Sequence, residues 1–233
     1  MLRISLWITW LSFVAQLLVQ QVFGLCSVPQ PRSVCAEFSH SDVVAIATLV
    51  HVRDVDKGTG YFYTLTARRV FRGQIPVRFR IWEENSSGRA AFNWKPRRDY
   101  VLFLWYSKRD RAWLIDGCGN SGPLERSTAV VAAIETTQKQ LGDALLEGLA
   151  SGIGDVPIEN VAVTARGNGR TFTAITDKHG RFRLRLLPGT YRLVAKSRSF
   201  ASLKPDVFSY ENPSRLVLPA GSCAQVQFTA GDP

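Results

Sequence analysis

Thr171-Phe-Thr-Ala-Ile-Thr-Asp177-Lys-His-Gly180-Arg-Phe-Arg-Leu-Arg-Leu-Leu-Pro188-Gly189-Thr-Tyr-Arg-Leu-Val-Ala-Lys196 decides how the C-terminal part of this chain folds. Phe182, Leu184 and Leu186 alternate with Arg181, Arg183 and Arg185. A period of two sends the apolar side chains to one face of a strand and the guanidinium groups to the other. Asp177-Lys178-His179-Gly180 predicts a turn, because Asp bonds its own backbone two residues on and Gly accepts positive φ. Pro188-Gly189 predicts a second turn, with Pro presetting φ and Gly supplying the mirror conformation. The stretch therefore reads as three strands of a half-buried sheet in a sandwich. It carries no sign of a reaction.

Working outward, Arg166-Gly167-Asn168-Gly169 is a hairpin signal upstream of the first of these strands. Leu145 to Leu149 and Val161 to Ala165 read as further strands, with a loop from Asp155 to Asn160 between them. Val217-Leu218 and Val226-Gln227-Phe228 would close the unit.

The segment from Cys26 to about Leu124 also reads as all β. Asp42–Val50 is rich in β-branched and small residues, and Tyr61–Val70 alternates before Arg72-Gly73. Val77, Phe79 and Ile81 alternate with Arg78 and Arg80. Tyr100–Tyr106 is a dense apolar run expected of a central strand buried on both faces. Trp113-Leu114-Ile115 leads into Asp116-Gly117-Cys118. Five or six short strands in this span suit a small closed or nearly closed barrel. Between the two β regions, Val130, Ala133, Ile134, Thr137 and Leu141 recur at helical spacing, so a helix over 127–141 is expected, capped by Ser127 or Thr128 and stopped by Gly142.

The 233 residues suffice for one large domain or two small ones, and 45% apolar content argues against wholesale disorder. The net charge of +10 is spread along the chain rather than blocked. It fits solvated outer strand faces, or a surface that attracts acidic polymers or anionic membranes.

Met1-Leu2-Arg3 followed by an uncharged apolar run from Ile4 to about Val19, then Val22-Phe23-Gly24, has the layout of a cleaved export signal. A membrane anchor is the rival reading, weakened by Gln16, Gln20 and Gln21. The expected mature chain begins near Leu25, and Leu25 is bulky for a lipid-modified Cys26. Export makes nucleic acid a poor partner.

Four cysteines, Cys26, Cys35, Cys118 and Cys223, point in an exported chain to two disulfides among three pairings. One N-terminal cysteine bridged to Cys118 closes a loop of about 85 residues, worth on the order of 4 kcal/mol. Cys223 would take the other and tie the two halves together. No C-x-x-C spacing exists, and His40, His51 and His179 are widely separated, which argues against zinc. No cofactor is implied. Asn85-Ser86-Ser87 is a glycosylation acceptor in a host that glycosylates exported proteins.

Two resemblances add to this reading. Cys26, then Phe38-Ser39-His40-Ser41-Asp42-Val43-Val44, Phe71-Arg72-Gly73, Trp94-Lys95-Pro96-Arg97-Arg98-Asp99-Tyr100-Val101-Leu102-Phe103, and Cys118 before Pro123-Leu124 form an ordered series. The series resembles the netrin-like domain of the tissue inhibitors of metalloproteases, implying an OB-type barrel over residues 26 to about 140. In those inhibitors the N-terminal Cys chelates a protease zinc, and Cys26 holds the matching position. Cys26-Ser27-Val28 departs from the family's Cys-x-Cys, and Leu25 would cap Cys26.

Gly148, Pro157-Ile158-Glu159-Asn160-Val161, Thr176-Asp177-x-x-Gly180-x-Phe182 and Leu187-Pro188-Gly189-Thr190-Tyr191 form a second series. It resembles the carboxypeptidase regulatory-like domain, which implies a seven-stranded transthyretin-like β-sandwich without catalytic residues. The expected organisation is thus a signal peptide at 1–24, a netrin-like barrel with its helix at 25–142, and a sandwich at 143–233.

No H-E-x-x-H, G-x-S-x-G or phosphate-cradling glycine loop is present. The functional expectation is an exported, non-catalytic binding or adaptor protein, with a protein or an anionic envelope polymer as partner at the cell surface. Arg181, Arg183 and Arg185 are the candidate face for it. The alternative is a carbohydrate-binding module, with a platform among Phe200, Phe208 and Tyr210, or at Trp82, Trp94, Trp105 or Trp113. A second alternative is metalloprotease inhibition through Cys26.

Overall fold

The computed structural model describes residues 26, 29–55, 57–85, 93–139, 142–207 and 212–230. The expected export signal and the expected platform residues Phe208 and Tyr210 lie outside them. Among the described residues no helix is long and apolar enough to cross a membrane.

The first sheet is a barrel. Strands β1 (Val43–Val55), β2 (Gly60–Arg72), β3 (Arg78–Glu84), β4 (Asp99–Ser107) and β5 (Ala112–Ile115) run in the order β1-β2-β3-β5-β4, and β1 pairs back to β4. That closes the sheet and removes its edges. β3 and β5 meet in parallel at Ile81 and Trp113, and the remaining barrel pairs are antiparallel. A two-residue strand β6 (Gly122–Pro123) extends the sheet beside β4. This is the OB-type order expected of the N-terminal half.

β4 is buried on both faces, as its unbroken apolar run requires. Tyr100, Leu102 and Leu104 fill the barrel with Leu49, Leu65 and Ile81, while Val101 and Phe103 face outward under Phe38 and Ile134. The cover comes from two helices, α1 (Val34–His40) and α2 (Thr128–Gln138). α2 is shorter than the expected 127–141. Ser127 holds the N-cap position, but its hydroxyl donates to the Pro123 carbonyl and caps nothing. Lys139 ends the helix, and Leu141 lies outside the described residues. α1 had no counterpart in the sequence reading. Ser33 caps it, its Oγ accepting from the Ala36 N–H at 3.3 Å. Val77 does not join β3; it is 71% exposed just before that strand.

The second half is a two-layer sandwich. One sheet has the order β10-β7-β14-β12, from β10 (Arg181–Leu186), β7 (Ala144–Ser151), β14 (Cys223–Ala230) and β12 (Leu203–Val207). The other is β13-β11-β8-β9, from β13 (Leu216–Leu218), β11 (Gly189–Lys196), β8 (Ala162–Gly167) and β9 (Arg170–Ile175). These are eight described strands, one more than the seven the resemblance implies. β12 is an edge strand, and its Pro205 donates nothing to a ladder. The apolar alternates of both sheets, Phe182, Leu184, Leu186, Val163, Ala165, Leu193, Val226 and Phe228 among them, meet in one core.

Asn168-Gly169 makes the expected two-residue hairpin, both at positive φ. Pro188-Gly189 corrects the expectation of a mirror-image turn: Gly189 is not among the positive-φ residues and begins β11. β10 and β11 belong to opposite sheets, so Leu187-Pro188 is an arch over the core, not a hairpin. Glycine there lets the Asn168 side chain approach and donate to the Pro188 carbonyl at 2.9 Å, since a Cβ on Gly189 would fall 2.0 Å from Asn168 Nδ2.

Candidate binding faces

The N-terminal segment ties the halves together. Cys26 is bridged to Cys118 and Cys35 to Cys223, each pair with Cα atoms 5.6 Å apart. No cysteine is left reduced. Residues 30–33 lie along the outer face of the β7–β14 sheet. The Ser33 N–H donates to Gln225 Oε1 at 2.7 Å, Gln225 Nε2 donates to the Pro31 carbonyl at 2.8 Å, and the Ser33 hydroxyl bonds the Glu147 carboxylate. Ser39 Oγ accepts from the Cys223 N–H at 2.8 Å. The Gln30 N–H likewise donates to Gln227 Oε1 at 3.3 Å, so Gln225 and Gln227, two glutamines on a sheet face, find the partners that buried amides require.

On the barrel side the same segment is held by a buried acid. Glu37 Oε2 accepts from the Asn120 backbone N–H at 2.7 Å and from Asn120 Nδ2 at 2.6 Å, and Arg32 bonds Asp116. Gly119 lets the carboxyl approach, because a Cβ there would fall 2.0 Å from Glu37 Oε1. Burial raises the Glu37 pKa above the ordinary carboxylate range, and the bonds from Asn120 and the charge of Arg32 only partly oppose it. Above about pH 4.3 an unfolded Glu releases its proton while the folded one still holds it. The stabilisation from Glu37 is complete below that pH and is lost as pH rises through the folded value. We expect Glu37→Gln to remove this slope. The melting temperature of the variant minus that of the wild type should become more positive between pH 4.5 and 7. A pH-independent difference would refute the assignment.

β10 places the predicted arginines as expected. Arg181, Arg183 and Arg185 are exposed, and Phe182, Leu184 and Leu186 point into the core. Among the described residues β10 is a sheet edge, pairing only with β7. Asp177 sets its start: Oδ1 accepts from the His179 N–H at 2.8 Å and the Arg181 N–H at 2.9 Å. Those bonds, the one from Arg181 first, hold the Asp177 carboxyl below its usual range. Arg183 lies 3.6 Å from Glu147, which also receives Ser33. Between residues 30–33 and β10 runs an open groove of about 480 Å³, with Gln30, Ser33, Glu147, Ile175, Arg181 and Arg183 on its walls.

Of the expected platform residues Phe200, Phe208 and Tyr210, Phe200 is the one among the described residues, and it is half-buried against the sandwich core. Of the other aromatic candidates, Trp94 stacks on Tyr63 at 4.5 Å inside the barrel and bonds Glu83 through Nε1. Trp113 packs on the barrel core. Trp82 sits in no core cluster and lies on the outer barrel surface against Phe62. Asn85 Nδ2 donates to the Gly58 carbonyl at 2.8 Å. Among the described residues no group of three or more His, Cys, Asp or Glu could hold a metal ion.

The sandwich has a recognisable type. Residues 150–229 match the family model of the carboxypeptidase regulatory-like domain. The match takes in β8 to β13 whole, β14 except Ala230, and only the last two residues of β7, Ala150 and Ser151. No curated protein matches the chain. Among solved structures, a C-terminal fragment of the pilus adhesin SpaC from Lactobacillus rhamnosus GG is 10% identical, with 82% of this chain and 90% of that one covered at a TM-score of 0.29. BcpA, the major pilin subunit of Bacillus cereus, is 8% identical, with 84% and 61% covered at a TM-score of 0.27. Likeness at that level does not bear on the function of this chain.

Proposed function

We propose that this chain is an exported, non-catalytic binding protein. In this reading a netrin-like barrel (25–142) and the carboxypeptidase regulatory-like sandwich (143–233) form one stapled scaffold, released from a signal peptide at 1–24. The exposed arginine row of β10 beside the groove carries the reading, because three like charges at alternate positions of a sheet edge form a stripe complementary to an acidic protein segment or an anionic envelope polymer. The two disulfides support an oxidising destination.

The test has two readouts. Mass spectrometry of the exported protein should give a mature N-terminus at Leu25; retention of residues 1–24 would refute cleavage and favour the membrane-anchor reading. A start at Cys26 would instead favour the metalloprotease-inhibitor reading. Polyglutamate should bind the full chain, and Arg181→Glu with Arg183→Glu and Arg185→Glu together should weaken it at least about tenfold at low salt. Unchanged affinity in the triple variant would remove β10 as the binding face.

A further inference from the structure

The outer surface of the barrel carries a second arrangement, on β1, β2 and β3. Cross-strand register aligns Arg53, Phe62 and Trp82 in one row, His51, Thr64 and Arg80 in the next, and Thr48, Thr66 and Arg78 in a third. A bulge at Val50 makes this possible, shifting the β1 pairing between Leu49 and His51 so that Arg53 faces outward opposite Phe62.

Phe62 organises the charges. The guanidinium carbons of Arg53 and Arg80 lie 5.4 and 5.1 Å from its ring centroid, each within cation–π range. The Trp82 ring lies 4.8 Å from that of Phe62. Gly60 leaves room for the indole, because a Cβ there would fall 2.2 Å from Trp82 Cη2. Among the described residues Arg53, Arg78 and Arg80 form no ion pair. Of the three carboxylates on these strands at that end, Asp54 and Glu83 stand at the alternate positions paired with Tyr61, where Asp54 accepts from the Gly58 N–H and Glu83 from Trp94 Nε1. Glu84 is paired in register with Gly60 beyond the Trp82 row. Two arginines are therefore held against an aromatic ring with their hydrogen-bonding edges unspent, so less side-chain entropy is lost when an anion binds.

We propose that this face binds a linear acidic polysaccharide, with sulfate or carboxylate groups on Arg53, Arg80 and Arg78 and a sugar ring against Trp82. Same-face rows of a strand are about 6.8 Å apart, so the three charged rows cover roughly 14 Å. That length suits a repeating anion better than a single one. Trp82 offers the flat apolar surface with a polar tip that sugar rings take. A flat stacking surface beside the charges suits a polyanion built of sugar rings better than an acidic peptide. The surface is separate from β10, and the proposal stands whether or not β10 binds a partner.

The test is fluorescence anisotropy of the full chain with a labelled heparin dodecasaccharide and with oligogalacturonate. At least one should bind with affinity that falls as salt rises. Arg53→Ala with Arg80→Ala should weaken it at least tenfold, and Phe62→Leu severalfold. Arg80→Lys should fail to restore full affinity, because the fork geometry is lost while the charge stays. The β10 triple variant should bind within about twofold of wild type. Melting temperature checks that each variant is folded, and Trp82→Leu provides a second route if Phe62→Leu is not. Absence of binding to both probes at low salt would overturn the proposal, as would full affinity in the Arg53/Arg80 variant. Oligo-dT or polyglutamate binding as tightly, with the same sensitivity to Arg53 and Arg80, would overturn the polysaccharide assignment.

Discussion

Replacing Cys35 and Cys223 together by alanine is expected to lower the stability of this protein by about 3–5 kcal/mol. The bridge joins positions 188 residues apart, against 92 for Cys26–Cys118. In the chain-entropy model a loop of that length is worth about 5 kcal/mol. Removing the native bond also loosens the packing around it, where Ala36, Leu145 and Cys223 form a small buried cluster between α1 and the sandwich. A loss of 3–5 kcal/mol corresponds to a fall in melting temperature of roughly 6–20 °C for a chain of this size. Hydrogen exchange should quicken in α1 and along residues 30–33 before it quickens in the barrel strands. A double variant that melts within 2 °C of wild type would show that the bridge adds nothing to the contacts around it.

The second large effect concerns a glycine. Gly148 lies in β7 between β10 and β14, aligned with Phe182 on one side and Val226 on the other. A Cβ at this position would fall 1.9 Å from the Val226 carbonyl oxygen and 2.8 Å from the Phe182 ring. The first of these is backbone and cannot swing aside. Gly148→Ala must therefore push the parallel β7–β14 pair apart or drive Phe182 out of the sandwich core. We expect a loss of about 3 kcal/mol, near the upper end for overpacking, and a melting temperature lower by roughly 6–12 °C. Gly152 is the control: its φ is −93°, the atoms nearest a Cβ are 3.8 Å away, and alanine there should melt within 2 °C of wild type. Equal melting of the two variants would refute the steric argument.

The strands were legible where the chemistry is local. Arg181 to Leu186 alternates so cleanly that both faces of β10 follow from it, and Asn168-Gly169 names its own turn. The Tyr100–Tyr106 run announces a doubly covered strand, and the structure supplies the covers. Sheet membership was not legible. Nothing in Leu187-Pro188-Gly189 separates a hairpin from an arch, because that depends on which layer receives β11. α1 is seven residues long and holds Glu37 in its buried face, so it lacks the apolar periodicity that marks a helix. Its one sequence signal was Ser33 at the cap. The barrel face was hidden for a similar reason: Phe62, Trp82 and Arg53 converge only through cross-strand register and one bulge. Trp82 stood among several tryptophans, and composition alone could not say that Trp94 turns inward while Trp82 does not.

The place of β14 in its sheet bears on how the chain is made. β14 is the last described strand, yet it lies in the interior of its sheet, between β7 and β12. As the ribosome delivers the polypeptide from its N-terminus, β7 waits some eighty residues for its parallel neighbour, and Cys35 waits longer for Cys223. The barrel, whose strands all precede Ala144, can close during synthesis, whereas the sandwich remains an unzipped half until β14 has emerged. A nonsense mutation between Ala144 and Cys223 would therefore yield a folded barrel trailing an open, aggregation-prone sheet.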